Sequence, residues 1–199
     1  MSNICCDDVC FHAGSNPEGL QNLWDDLEAS IMICPNPDKA WIGNLFRYKR
    51  MPTSGIGLRG TVTYMERNAE GILLDLSTAW SPLYDAYHAI ARHYSVPFVC
   101  KSVEPGCGIY FNTDAAGDVF PEKYIITIGD EDAVAPVGKK ITEALEDGDV
   151  FSCEQELLNA FRSLGYAASS AKELEALLED DGIDVHEFIN PYAAENAAA

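Results

Sequence analysis

Basic side chains are scarce in this sequence: 13 Lys and Arg stand against 32 Asp and Glu in 199 residues, a formal net charge of −19 at pH 7. A polyanion of this size is repelled by phosphate backbones and by anionic lipid surfaces, so neither nucleic acid nor a membrane is an expected direct partner. Long apolar runs are missing as well. Nothing approaches the roughly 18 consecutive apolar residues that a membrane-spanning helix requires. The opening "MSNICCDDVCFH" has neither the basic nor the apolar region of a secretory signal. No C-x-x-C pair occurs. The seven cysteines (Cys5, Cys6, Cys10, Cys34, Cys100, Cys107 and Cys153) are odd in number and widely spaced. Reduced thiols in a cytoplasm are the expectation.

What is present belongs to a globular protein: 47% of residues are hydrophobic and 10% aromatic, enough to bury a core. The acid is unevenly spread. From Asp130 onward there are 17 Asp and Glu against 4 Lys and Arg, which leaves only −6 for the first 129 residues. This contrast predicts an α+β domain over residues 1–129 and an acidic helical segment over 130–199.

"ICCDDVCFHAG" reads as a strand whose period of two puts Cys5, Asp7, Val9 and Phe11 on the core side. Asn16 and Pro17 then open a helix with Leu20, Leu23, Trp24, Leu27 and Ile31 on one face. Prolines and glycines from Cys34 to Gly60 predict a long loop, and the β-rich runs around Asn68–Gly71 predict a hairpin. Ser81 and Pro82 start a second helix with Leu83, Ala86, Tyr87, Ile90, Ala91 and Tyr94 on its apolar side. Trp80 is expected to close the helix–sheet seam. Further strands follow up to Gly129. The succession predicts a ferredoxin-like antiparallel sheet with two helices on one face. After Gly129, capping-box spacings at Ser152/Gln155, Ser170/Glu173 and Asp184/Glu187 predict short helices only.

Particular residues carry a resemblance. "STAWSP" (Ser77–Pro82) after a strand, a helix, and then a strand ending "EPGCG" (Glu104–Gly108) resemble the ferredoxin-like domain of the YubB-like family, found on phages, plasmids and other mobile elements. "RGTVTYM" (Arg59–Met65) looks like a diverged form of that family's Asn-Trp-Gly-Thr-Lys-Trp motif, with Leu58-Arg59 in place of Asn-Trp and Tyr64 in place of the second Trp. The similarity spans about residues 3 to 128. The family has no established biochemical activity, so the resemblance implies a fold and not a chemistry.

Residue patterns that suggest chemistry are few. Gly55-x-Gly57-x-x-Gly60 matches a dinucleotide fingerprint in spacing, but β-rich sequence follows it where a helix N-terminus is needed. Cys6, Cys10 and His12 share a strand face, and Cys107 would complete four ligands if its strand lay beside them, yet ligands spaced along a strand splay too far for one ion. Asp85, His88 and Arg92 read as a solvated helix face, and "GDEDA" and "LEDDGIDVHE" as solvated acid that does not match a calcium loop. Neither a catalytic residue nor a metal or cofactor site is expected. The expectation is a non-enzymatic protein acting through protein contacts, with an acidic face at Glu173, Glu175, Glu179 and Asp180 that imitates DNA toward a partner with a basic surface. The alternative is a small-ligand-binding or enzymatic domain using the open sheet face.

Overall fold

A computed structural model describes residues 3–33, 39–69 and 71–193. The chain divides into two compact units. The first runs up to Asp114 and is joined by the segment that begins at Pro191; the second is Ala115–Asn190. The division falls before the expected boundary at 129/130.

The first unit is built on β1 (Ile4–Phe11), β2 (Gly60–Arg67), β3 (Ile72–Ala79), β4 (Phe98–Glu104) and β5 (Ile109–Asn112). They form one antiparallel sheet in the order β2-β3-β1-β4-β5. Alternation along β1 works as the sequence implies: Cys5, Asp7, Val9 and Phe11 point into the core. Leu74, Leu76 and Thr78 of β3, and Cys100, Ser102 and Glu104 of β4, continue that buried face.

Helix α1 (Pro17–Leu27) begins at Asn16, whose Oδ1 accepts the Gly19 amide at 3.0 Å, and it continues into a π-turn at Glu28–Met32. Leu20, Leu23, Leu27 and Ile31 are buried, and Trp24 is only half-buried. The Asn16 Nδ2 donates to the carbonyl of Tyr94 at 2.9 Å, which ties the start of α1 to the end of a later helix. The segment expected to be loop holds helix α2 (Gly43–Lys49), whose buried Leu45 and Phe46 anchor it in the same core. Helix α3 (Tyr84–Tyr94) buries Tyr84, Ala86, Tyr87, Ile90, Ala91 and Tyr94.

Trp80 departs from expectation. It is 50% exposed, in the left-handed region with φ +74°, because the chain reverses there between β3 and α3. Thr78 takes the buried place at that seam, donating through Oγ1 to the carbonyls of Cys5 and Ser81.

The second unit contains β6 (Tyr124–Ile128), β7 (Val150–Phe151), α4 (Glu154–Ser163), α5 (Ala171–Leu178) and β8 (Ile183–Glu187). Its antiparallel sheet has the order β7-β6-β8. The region after Gly129 is therefore not helical throughout. Ile183 and Val185 alternate with Asp184 and His186, and pairing with β6 turns that alternation into a strand despite the capping-box spacing. Leu157, Leu158, Phe161, Leu174 and Leu178 pack with Ile126 and Ile183 as a separate core. No helix among the described residues is long and apolar enough to cross a membrane.

Candidate functional site

Leucine burial on α4 and α5 forces their acidic residues outward. Unit Ala115–Asn190 holds 18 Asp and Glu against five Lys and Arg, a net of −13. Glu173, Glu175, Glu179 and Asp180 are all exposed. They do not form one straight row. Glu175 and Glu179 are stacked one turn apart, whereas Glu173 lies on the other side of the helix axis at about 100° per residue. Asp180 belongs to the 3-10 turn Glu179–Asp181 that ends α5. Glu173 also has a structural duty. Its carboxylate accepts the Ser169 Oγ at 2.5 Å and the Ser169 amide at 2.8 Å, while Ser170 Oγ accepts the Glu173 amide at 3.2 Å. The Ser169 hydroxyl and amide hold the Glu173 carboxyl below its ordinary value.

Other acids of this unit serve turns. Asp130 Oδ1 accepts the Asp132 amide, Asp147 Oδ1 accepts the Ile128 amide, and Asp149 Oδ2 accepts the Glu146 amide, each within 2.9 Å. Asp132 pairs with Lys140 at 2.6 Å, and that hydrogen-bonded ammonium lowers its carboxyl. "GDEDA" is thus a folded turn whose three acidic side chains still face water while Ala133 is buried.

The first unit holds a polar cluster that spacing alone did not reveal. Asp7, fully buried at the middle of β1, accepts the Tyr87 hydroxyl at 2.5 Å and the Leu83 amide at 3.0 Å on Oδ2, and the Cys5 thiol at 3.3 Å on Oδ1. Leu83 lies at the start of α3, where no local side chain caps the helix, so a carboxylate from the sheet satisfies the orphan amide. Ser102 lies directly across from Asp7, yet its Oγ makes no hydrogen bond of normal geometry. Burial raises the Asp7 carboxyl, partly offset by the Tyr87 and Leu83 donors. Burial likewise pushes up the Tyr87 hydroxyl and the Cys5 and Cys100 thiols, each reinforced by the negative charge of Asp7. Thiols held protonated in this way are poor nucleophiles. The cluster joins helix to sheet, through the Leu83 amide and the Tyr87 hydroxyl of α3 on Asp7 of β1. The signal for it was an acidic residue on the core-facing period of β1.

The remaining candidates separate. Cys10 is buried with its Sγ 3.9 Å from His12 Nδ1, and Cys6 is exposed. Cys107 lies beside Asn3, whose Nδ2 is 3.7 Å from its Sγ, at the opposite end of β1 from Cys10. At about 3.3 Å per residue the strand keeps those thiols roughly 20 Å apart. Among the described residues no three His, Cys, Asp or Glu side chains converge to hold a metal ion. Asp85, His88 and Arg92 are exposed. The Gly55–Gly60 run leads into β2 and not into a helix N-terminus. Comparison with family models, with curated proteins and with solved structures gave no match for this chain.

Proposed function

We propose that the protein is a non-enzymatic cytoplasmic protein that acts through protein contacts, its acidic unit occupying the basic surface by which a partner binds DNA. One observation carries this reading: a net charge of −13 concentrated in Ala115–Asn190, on side chains that the apolar core of that unit turns toward water. A dense negative surface competes for the same cationic site as a phosphate backbone, by the same long-range field. Like charge keeps the protein itself off DNA. Unit one is read as a ferredoxin-like domain related to the YubB-like proteins of mobile elements. The order β2-β3-β1-β4 within a β-α-β-β-α-β succession supports that, together with the resemblance at Ser77–Pro82 and Glu104–Gly108.

The test is competition. The protein is immobilised, exposed to lysate at low salt, and eluted either with duplex DNA or with raised salt. A basic DNA-binding protein released by both treatments is the expected result. Screening over a Debye length of about 8 Å at physiological ionic strength sets the salt response. The combined substitution Glu175→Lys, Glu179→Lys and Asp180→Lys should weaken capture. Glu173 is left alone because it caps α5. A captured protein that holds DNA and this chain together, or capture insensitive to salt and to charge reversal, refutes the reading.

A further inference from the structure

We infer that the open face of the five-stranded sheet, at the end where β3 leaves it, binds a small molecule made of a flat aromatic ring and one anionic group. The inference is independent of the acidic unit and rests on the register of the sheet. Cross-strand partners point to the same side, so each ladder row can be followed across the sheet. Trp41 bridges to Thr61, Thr61 pairs with Ser77, and Ser77 pairs with Cys6. The neighbouring row is anchored where the Arg59 carbonyl accepts the Ala79 amide at 3.2 Å and Ala79 pairs with Ile4. These rows lie on the face opposite the helices, since Cys5 and Asp7 point the other way into the core.

The side chains along the two rows differ in size in a telling way. Ala79, Ser77 and Thr61 are small and make a floor. Trp41, Leu58 and Arg59 rise on one side of it, and Ile4 on the other. The result is a cleft of about 490 Å³, within the roughly 300–1,000 Å³ usual for small-molecule sites. Large apolar groups are left open to solvent here: Trp41 is 49% and Ile4 59% exposed. The backbone beneath them is fixed, because the Ile42 amide donates to Gly60 at 3.1 Å and the Val62 amide to Ala40 at 2.7 Å. A rigid floor with exposed apolar walls is a preorganised surface that loses little entropy on binding.

Charge selects the ligand. Among the described residues Arg59 is the one charged side chain lining the cleft, and no acidic group lines it. Among the described residues Arg59 makes no ion pair. Its planar guanidinium matches a carboxylate or a phosphate in a two-pronged hydrogen bond. The Trp41 indole offers a face on which a flat ring stacks, and Ile4 closes the far side of the cleft against apolar surface. The chain's overall negative charge opposes anions at long range, but screening beyond about 8 Å leaves the local cation in control. An aryl carboxylate and a nucleoside monophosphate share this chemistry.

Calorimetric titration of the full chain with 2-naphthoate, adenosine 5′-monophosphate, 2-naphthol and inorganic phosphate tests the inference, with amide shifts of Thr61, Ser77 and Ala79 locating the site. At least one of the two ring-bearing anions should bind, and the tighter of them identifies carboxylate or phosphate as the anion taken. The ring alone and the anion alone should bind about tenfold more weakly or worse, the usual scale for losing a charge-assisted contact. Arg59→Gln and Trp41→Ala should each reduce affinity by about tenfold. Ile4→Glu should do the same by setting a carboxylate in the wall. All three positions are solvent-exposed, and thermal melts of the variants establish that they fold. The inference is overturned if neither ring-bearing anion binds, if the shifts map elsewhere, or if Arg59→Gln leaves affinity unchanged.

Discussion

A single oxygen of Asp7 holds two buried donors in the first unit. Removing its side chain in Asp7→Ala strands two buried donors, the Tyr87 hydroxyl and the Leu83 amide, which both point at Oδ2. At about 1–3 kcal/mol for each stranded group, the substitution should cost roughly 2–6 kcal/mol. At about 2–4 °C per kcal/mol for a chain of this length, that is a fall in melting temperature of roughly 4–24 °C. Asp7→Asn should behave differently. Its carbonyl oxygen can take the place of Oδ2 and keep both donors, while its amide occupies the site facing Cys5 and Ser102. The expected loss is below about 1.5 kcal/mol, the scale of one neutral hydrogen bond.

The pH response separates the two variants further. Burial raises the Asp7 carboxyl above its ordinary 3.8, so in that range the folded state holds a proton that the unfolded chain releases. Stability contributed by Asp7 is therefore full below about pH 4, declines as pH rises toward the raised folded value, and levels off above it. Asp7→Asn should lack this decline. Urea unfolding followed by tryptophan fluorescence is suited to the measurement, because Trp24, Trp41 and Trp80 all belong to the first unit. An Ala variant within about 0.5 kcal/mol of wild type, the range of an ordinary surface substitution, would refute the reasoning. So would an Asn variant that is as damaged as Ala.

Two further outcomes follow from local geometry. Trp80→Ala should cost about 1 kcal/mol or less in the same urea assay because the ring is half in water; Trp80→Gly should be at least as stable as Trp80→Ala, since φ +74° suits glycine. A loss near 3 kcal/mol on truncation would instead place the ring in the core. Ser170→Ala removes the side-chain acceptor for the Glu173 amide and should cost about 0.5–2 kcal/mol, seen as faster amide exchange through Ala171–Leu178. Unchanged exchange there would mean that Glu173 and Ser169 alone hold the helix start.

Those parts of the fold written in local periodicity were legible in the sequence. The Asn16–Pro17 start, the leucine stripe of α1, the apolar side of α3 and the inward face of β1 all depend on spacings of two, three or four residues. Helix α2 was not legible, because seven residues with two buried apolar side chains carry too little period; burial of Leu45 and Phe46 against the rest of the core makes it a helix. At Asp184–Glu187 two local signals conflicted, and pairing with β6 decided for a strand. The acidity of the second unit is plain from composition. Which carboxylates are spent on turns and caps depends on backbone shape, and so could not be read from order alone. The cleft is wholly tertiary: Trp41 meets Thr61, and Ser77 meets Cys6, only through the ladder.

The chain's return at Pro191 makes the two units thermodynamic neighbours. Tyr192 stacks face to face on Tyr84, with ring centroids 3.6 Å apart and planes 2° from parallel. The 76 residues of Ala115–Asn190 are thus a loop whose two ends are both held by the first unit. Were that loop unfolded, bringing Tyr192 back to Tyr84 would carry a closure cost growing as the logarithm of its length, about 4 kcal/mol for 76 residues before any constant term. A single aromatic stack contributes roughly 0.5–1.5 kcal/mol beyond its buried area and cannot offset that alone. A folded insert leaves far fewer conformations to lose. Docking of Tyr192 therefore reports on the acidic unit, and melting the insert should loosen a tyrosine stack in a core that shares none of its leucines.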